Sequence, residues 1–274
     1  MRWKRSVLGL IVLAFLAAFP RGPLFAWSPV HPGYRQVRFS RADVLYPDSV
    51  ALDPAYRDVD RYLAAAESFH QLKCSKKIKV VVCRNWNDCL RFAAPFLMGQ
   101  RPLAVTVATG TVIFVTPKAA GWADIGGLLR HELSHAVQSQ NHSLLEVVRM
   151  LREPWVSEGA AGVVAAIGMP TPGRHLVTLP EAEFLSRATT EDLWPSFAAA
   201  SQKDWRFSYT AWMYFWDRQI ERNGKARFLR FEQGCFSDPQ GCRNKFAGLY
   251  GIDLRSAVDQ FQTEVRAGHV VSPF

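Results

Sequence analysis

Residues 123–140 read ADIGGLLRHELSHAVQSQ, and this stretch decides the fold. Ile125, Leu128, Leu129, Leu133, Ala136 and Val137 recur at helical spacing, which predicts a helix from about Ala123 to Gln140 with one apolar side. Inside it His131-Glu132-Leu133-Ser134-His135 forms an H-E-x-x-H motif. Side chains four residues apart on a helix lie about 40° apart around its axis, so both imidazoles leave the same face. Two ring nitrogens so placed can meet one tetrahedral Zn²⁺ at about 2.0–2.1 Å. Glu132 lies about 100° away from His131, clear of ligand duty and placed to act on a water molecule.

A catalytic zinc takes three protein ligands and keeps a fourth position open. The next predicted helix, about Pro154 to Gly168, opens with Trp155-Val156-Ser157-Glu158-Gly159-Ala160-Ala161, and Glu158 is the candidate third ligand. Gly159, Ala160, Ala161, Gly162, Ala165 and Ala166 make this helix thin, which predicts a close approach to the histidine helix.

H-E-x-x-H followed about twenty residues later by Trp-x-x-Glu-Gly-x-Ala resembles the gluzincin metallopeptidases, and specifically the peptidase MA-like domains, over about residues 55–265. The resemblance implies a zincin-like helical bundle with the H-E-x-x-H helix at its centre. It also implies zinc held by His131, His135 and Glu158, water activated by Glu132, and a peptide or protein substrate. In that family the strand before the active-site helix lines the cleft, here about Thr111–Thr116. One position departs from the pattern: Gly162 stands where the thermolysin-like branch has an aspartate supporting a zinc histidine, so that support has to come from elsewhere. Tyr209 resembles the tyrosine that some gluzincins use to stabilise the transition state. It reads equally as a core residue on the stripe Tyr209, Trp212, Met213, Trp216, Ile220.

Upstream, residues 55–72 and a short segment after Asn85 have helical spacing, and the β-branched run Ile78–Cys83 reads as a strand. Strands at about 103–108 and 111–116 are joined at Thr109-Gly110, a hairpin signal. Helices at about 206–223 and 253–266 follow. Strands come early and helices dominate later, so the predicted class is α+β, a small sheet beside a helical bundle. The predicted division is a leader at 1–26, an extended lead-in at 27–53 and the peptidase MA-like domain at 54–274.

The leader has a positive start (Arg2, Lys4, Arg5) before an apolar run from Val7 to Phe19. It reads as a signal peptide cleaved near Ala26 or as an uncleaved anchor, with membrane association through residues 6–19. Both readings export the bulk of the chain to the periplasm or another extracytoplasmic space. Five cysteines agree: Cys83 with Cys89 and Cys235 with Cys242 are local pairs suited to disulfides, leaving Cys74 over. The formal charge of +9 includes four basic residues of the leader, and the rest are scattered, which argues against nucleic acid as a partner. The remaining histidines, His31, His70, His142, His175 and His269, read as surface or satisfied residues. A second class of function fits the same residues: an exported, non-catalytic binding or assembly factor that retains the zincin fold.

Overall fold

The β-branched runs seen in the sequence pair non-locally. A computed structural model describes residues 24–97, 102–117, 119, 124–167, 185, 187–198 and 205–267. Within them the architecture is mixed α+β. Strands β1 (Tyr34–Arg38), β2 (Ala42–Pro47), β3 (Ile78–Val82), β4 (Ala104–Thr106) and β5 (Val112–Val115) form a five-stranded sheet of order β1-β2-β3-β5-β4. The three inner strands run parallel, and β1 and β4 run antiparallel to their neighbours. Inner strands are covered on both faces, which is why β3 and β5 are near-continuous apolar runs. On one face Ala42, Val44, Ile78, Val80, Ile113 and Val115 join the main core, and on the other Leu45, Val81 and Phe114 pack with Phe25 and Phe92.

Residues 27–53 were expected as an extended lead-in. They are extended, but they supply β1 and β2, and β2 lies inside the sheet against β3. Phe25 and Ala26, assigned from sequence to the leader, are buried, with Phe25 stacked on Phe92 at 3.9 Å and the Ala26 carbonyl accepting from Lys79. Residues 1–23, and with them the apolar run at 6–19, lie outside the described residues. Among those described, no helix is long and apolar enough to cross a membrane.

The helices are α1 (Val59–His70), α2 (Trp86–Leu97), α3 (Ile125–Asn141), α4 (Leu144–Met150), α5 (Pro154–Ala166), α6 (Thr190–Phe197), α7 (Trp205–Asn223), α8 (Lys225–Ser237), α9 (Cys242–Tyr250) and α10 (Leu254–Arg266). Asp124 caps α3 by accepting from the Gly127 amide at 2.8 Å. The motif helix is enclosed: α1, α5 and the sheet pack around it, and every residue from Ile125 to Ser134 is buried. Gly110 in the β4–β5 hairpin has φ +65°, and a Cβ there would lie 2.5 Å from the Ala136 carbonyl. Only glycine allows both the turn and this close seat on α3.

Disulfides join Cys83 to Cys89 and Cys235 to Cys242, and Cys74 is free. They fit an extracellular, oxidising location.

Candidate metal centre

The site forms where three helices meet. His131 and His135 project from α3, Glu158 from the second turn of α5, and Tyr209 from α7. Arg130, buried on α3, donates through Nε to the Ala165 carbonyl of α5 at 2.8 Å and ties the two helices together.

His131 Nε2 and His135 Nε2 each lie 3.1 Å from Glu158 Oε2, and 3.2 Å from one another. The three residues form a group that could hold a metal ion. The triangle suits one. Ligands at about 2.0–2.1 Å in tetrahedral array are separated by about 3.3–3.4 Å, close to the edges observed. The donor set itself supports a cation. If both rings turn N–H groups to the shared carboxylate oxygen, the two N–H groups also face one another. A cation satisfies all three lone pairs at once. Two imidazoles and a carboxylate suit a divalent transition metal, zinc, iron, copper and nickel alike.

The electrostatics follow from the same contacts. Burial disfavours charge on His135, but the Glu158 carboxylate, with help from Glu132 and Gln138, raises its pKa from 6.5 to about 9. Burial likewise opposes ionisation of Glu158, yet His135 and His131 hold its carboxyl far below the ordinary range. The site thus stabilises paired charge in a largely dry setting.

Glu132 stands apart from the triangle. Its carboxylate accepts a hydrogen bond from the Thr106 hydroxyl at 2.6 Å, and the same hydroxyl lies 3.0 Å from the Glu132 carbonyl. Thr106 ends β4, the outermost strand on that side of the sheet. The strand expected beside the site, Thr111–Thr116, contains β5, whose two edges are occupied by β3 and β4. The strand that touches the motif glutamate is therefore β4.

Tyr209 is brought to the site as well. Its ring stacks over His131, with centroids 5.9 Å apart, and its hydroxyl is hydrogen-bonded to Glu158. Burial first, then the Glu158 carboxylate, pushes its pKa well above 10.0. It also packs against Trp212, as the core reading expects.

Helix α5 does approach the histidine helix closely, but its two glycines seat it on α7. A Cβ at Gly159 would strike Trp216, and one at Gly162 would strike Met213, both on α7. Neighbouring helical positions diverge by about 100°, so Gly159 is turned onto α7 while Glu158 reaches both α7, at Tyr209, and the histidines of α3. Glu158 sits at the seam between α3 and α7.

Sequence reasoning did not single out Thr106, Gln138 or Glu232, and it treated His70 as an ordinary satisfied histidine. Gln138 accepts from the Nδ1 side of His135 at 3.2 Å, and buried hydrogen bonds continue to Glu232, His70 and Ser134. Gln138 was legible only as a polar residue one turn beyond a ligand; Glu232 carries no local signal. His31 packs against Phe25 and His142 stacks on Phe236, while His175 and His269 lie outside the described residues. No family model matches the sequence, and no curated protein matches it.

Proposed function

We propose that the chain is an exported zinc-dependent peptidase of the gluzincin type, with a peptidase MA-like, zincin-like domain built around α3. The observation that carries the reading is the convergence of His131, His135 and Glu158 on one point while Glu132 stands outside the triangle, held by Thr106.

His131, His135 and Glu158 would hold the ion. Zinc bound there supplies Lewis acidity, polarising a carbonyl and lowering the pKa of water to about 7. Glu132 takes the proton of the attacking water and delivers it to the leaving amine nitrogen, serving as base and then as acid. Thr106, bonded to one Glu132 oxygen, leaves the other to face the reacting water. Tyr209, turned from Glu158, donates to the substrate oxygen that becomes negative. The disulfides support export, and residues 6–19 are proposed as a signal or membrane tether that places the domain in the periplasm or an equivalent space.

Zinc content and peptide hydrolysis are measured for wild type and Glu132→Gln. The variant should keep its zinc and lose hydrolysis by about 10²–10⁴-fold, the range of a general acid–base group. Unchanged hydrolysis removes Glu132 from the mechanism. Zinc uptake by a wild-type protein that cleaves no peptide in a broad library returns the non-catalytic binding factor.

A further inference from the structure

Behind the ligand pair runs a closed circuit of buried hydrogen bonds that the proposed reaction leaves unused. His135 Nδ1 lies 3.2 Å from Gln138 Oε1, and Gln138 Nε2 donates to Glu232 Oε1 at 2.9 Å. Glu232 Oε2 lies 3.0 Å from His70 Nδ1, and His70 Nε2 lies 2.7 Å from Ser134 Oγ. The circuit passes from α3 to α8 to α1 and returns to α3 inside the motif itself. His70, Ser134, Gln138 and Glu232 are all 0–2% exposed.

Donor and acceptor chemistry allows one consistent assignment. An ionised carboxylate only accepts, so Gln138 must turn its amide NH₂ to Glu232 and its oxygen to His135. That oxygen only accepts, so His135 must carry its proton on Nδ1. A ring that serves as a metal ligand is neutral and has one N–H, so Nε2, the atom facing Glu158, would then offer its lone pair to the ion. On the far side His70 donates from Nδ1 to Glu232 and accepts from the Ser134 hydroxyl. The other ligand has no such arrangement: His131 Nδ1 is buried without a hydrogen-bond partner among the described residues.

We propose that Glu232, acting through Gln138, is the positioning residue that fixes the His135 tautomer and ring orientation for metal binding, with His70 and Ser134 holding Glu232 in place. An aspartate at position 162 is not available for such support. Gly162 has no room for such a side chain, since even a Cβ would lie 2.9 Å from that of Met213. The inference rests on the reading that His131, His135 and Glu158 hold a metal.

The test is zinc affinity by chelator competition, with the Co²⁺ ligand-field spectrum and metal-free thermal stability recorded alongside. Gln138→Leu severs the circuit at the ligand and should weaken zinc binding about 10- to 100-fold, the usual cost of losing a ligand's supporting partner. The double variant Gln138→Glu with Glu232→Gln exchanges the two groups and preserves the donor–acceptor order. Its new carboxylate accepts from His135 directly, and its affinity should equal or exceed that of wild type. A folded Gln138→Leu protein with wild-type zinc affinity and an unaltered Co²⁺ spectrum overturns the proposal, because a merely structural network would change stability alone. Should Gln138→Leu fail to fold, the exchange variant decides, and affinity below wild type in that folded protein overturns it. A wild-type chain that takes up no zinc defeats the metal reading itself, a separate result.

Discussion

Gly159 adjoins the candidate ligand Glu158, and replacing it with alanine probes what seats α5. A Cβ at 159 would lie 2.4 Å from Trp216 Cδ1 and 3.1 Å from both the Cβ and the carbonyl oxygen of Trp212. The indole of Trp216 cannot step aside: it is fully buried, stacks on Trp155 at 5.3 Å, and donates to the Trp155 carbonyl at 2.7 Å. Carbon–carbon contacts settle at about 3.5–4.0 Å, so α5 must retreat from α7 by about 1 Å. Two effects compete. Alanine is favoured over glycine in a helix interior by about 1 kcal/mol. Overpacking a filled core costs about 1–3 kcal/mol. The second wins, and Gly159→Ala should lose about 1 kcal/mol net while shifting Glu158 and weakening zinc binding. Gly248 on α9 is the control, because a Cβ there meets nothing within 4 Å. Gly248→Ala should gain about 0.5–1 kcal/mol from helix propensity alone. Urea denaturation followed by circular dichroism reads both. If Gly159→Ala is stabilised as Gly248→Ala is, the claim that glycine sets the α5–α7 approach is refuted.

Three further outcomes follow from the electrostatics and the second core. Glu67 is buried; that burial opposes its charge, but two bonds from Arg41, the Cys74 amide and Lys73 lower its pKa from 4.5 to about 2. A depressed folded-state pKa contributes stability that is full above pH 4.5 and is lost as pH falls toward 2. Glu67→Gln should flatten the acid limb of the stability curve, and an unchanged limb would contradict this. Asp217 shows the opposite sign: burial and then Glu221 raise its pKa from 3.8 to about 7 against the pull of Arg218, so stability is full below pH 3.8 and declines as pH rises through 7. Asp217→Asn should therefore be more stable than wild type at pH 8 and equal to it at pH 3; denaturation at both values checks this. Phe25→Ala removes a ring that is 1% exposed and should cost about 3–5 kcal/mol. A loss below about 1 kcal/mol would show that this segment is not part of the folded domain.

The parts of the site that could be read from sequence are those whose chemistry demands a fixed spacing on one element. His131 and His135 had to be four apart on a helix, and the Trp155–Ala161 segment announced a glutamate on the next one. Tyr209 was a candidate only through its resemblance to the tyrosine of some gluzincins, while the aromatic stripe of α7 read it as a core residue. What escaped was set by pairing between distant segments. Prolines at 29, 32 and 47 made residues 27–53 look like a lead-in, yet β2 gains its place from β3, thirty-odd residues on, where Val44 lies beside Val80. A run that short is settled by what covers it, not by its own pattern.

The same distinction explains why the proposed support for a metal was invisible while the candidate ligands were not. Coordination geometry is a local demand: two rings must share a face, and α3 alone satisfies it. Holding a ring in one tautomer requires only that some acceptor reach its far nitrogen, and any element passing behind the helix can provide one. Here α8 brings Glu232 to Gln138 and to His70, the latter 162 residues away in sequence. Gly162 meanwhile serves the contact with Met213. A glycine at that position thus does not mean that the support is missing. The close packing of α5 on α7 leaves no volume for an aspartate, and the buried carboxylate that reaches Gln138 comes from α8 instead.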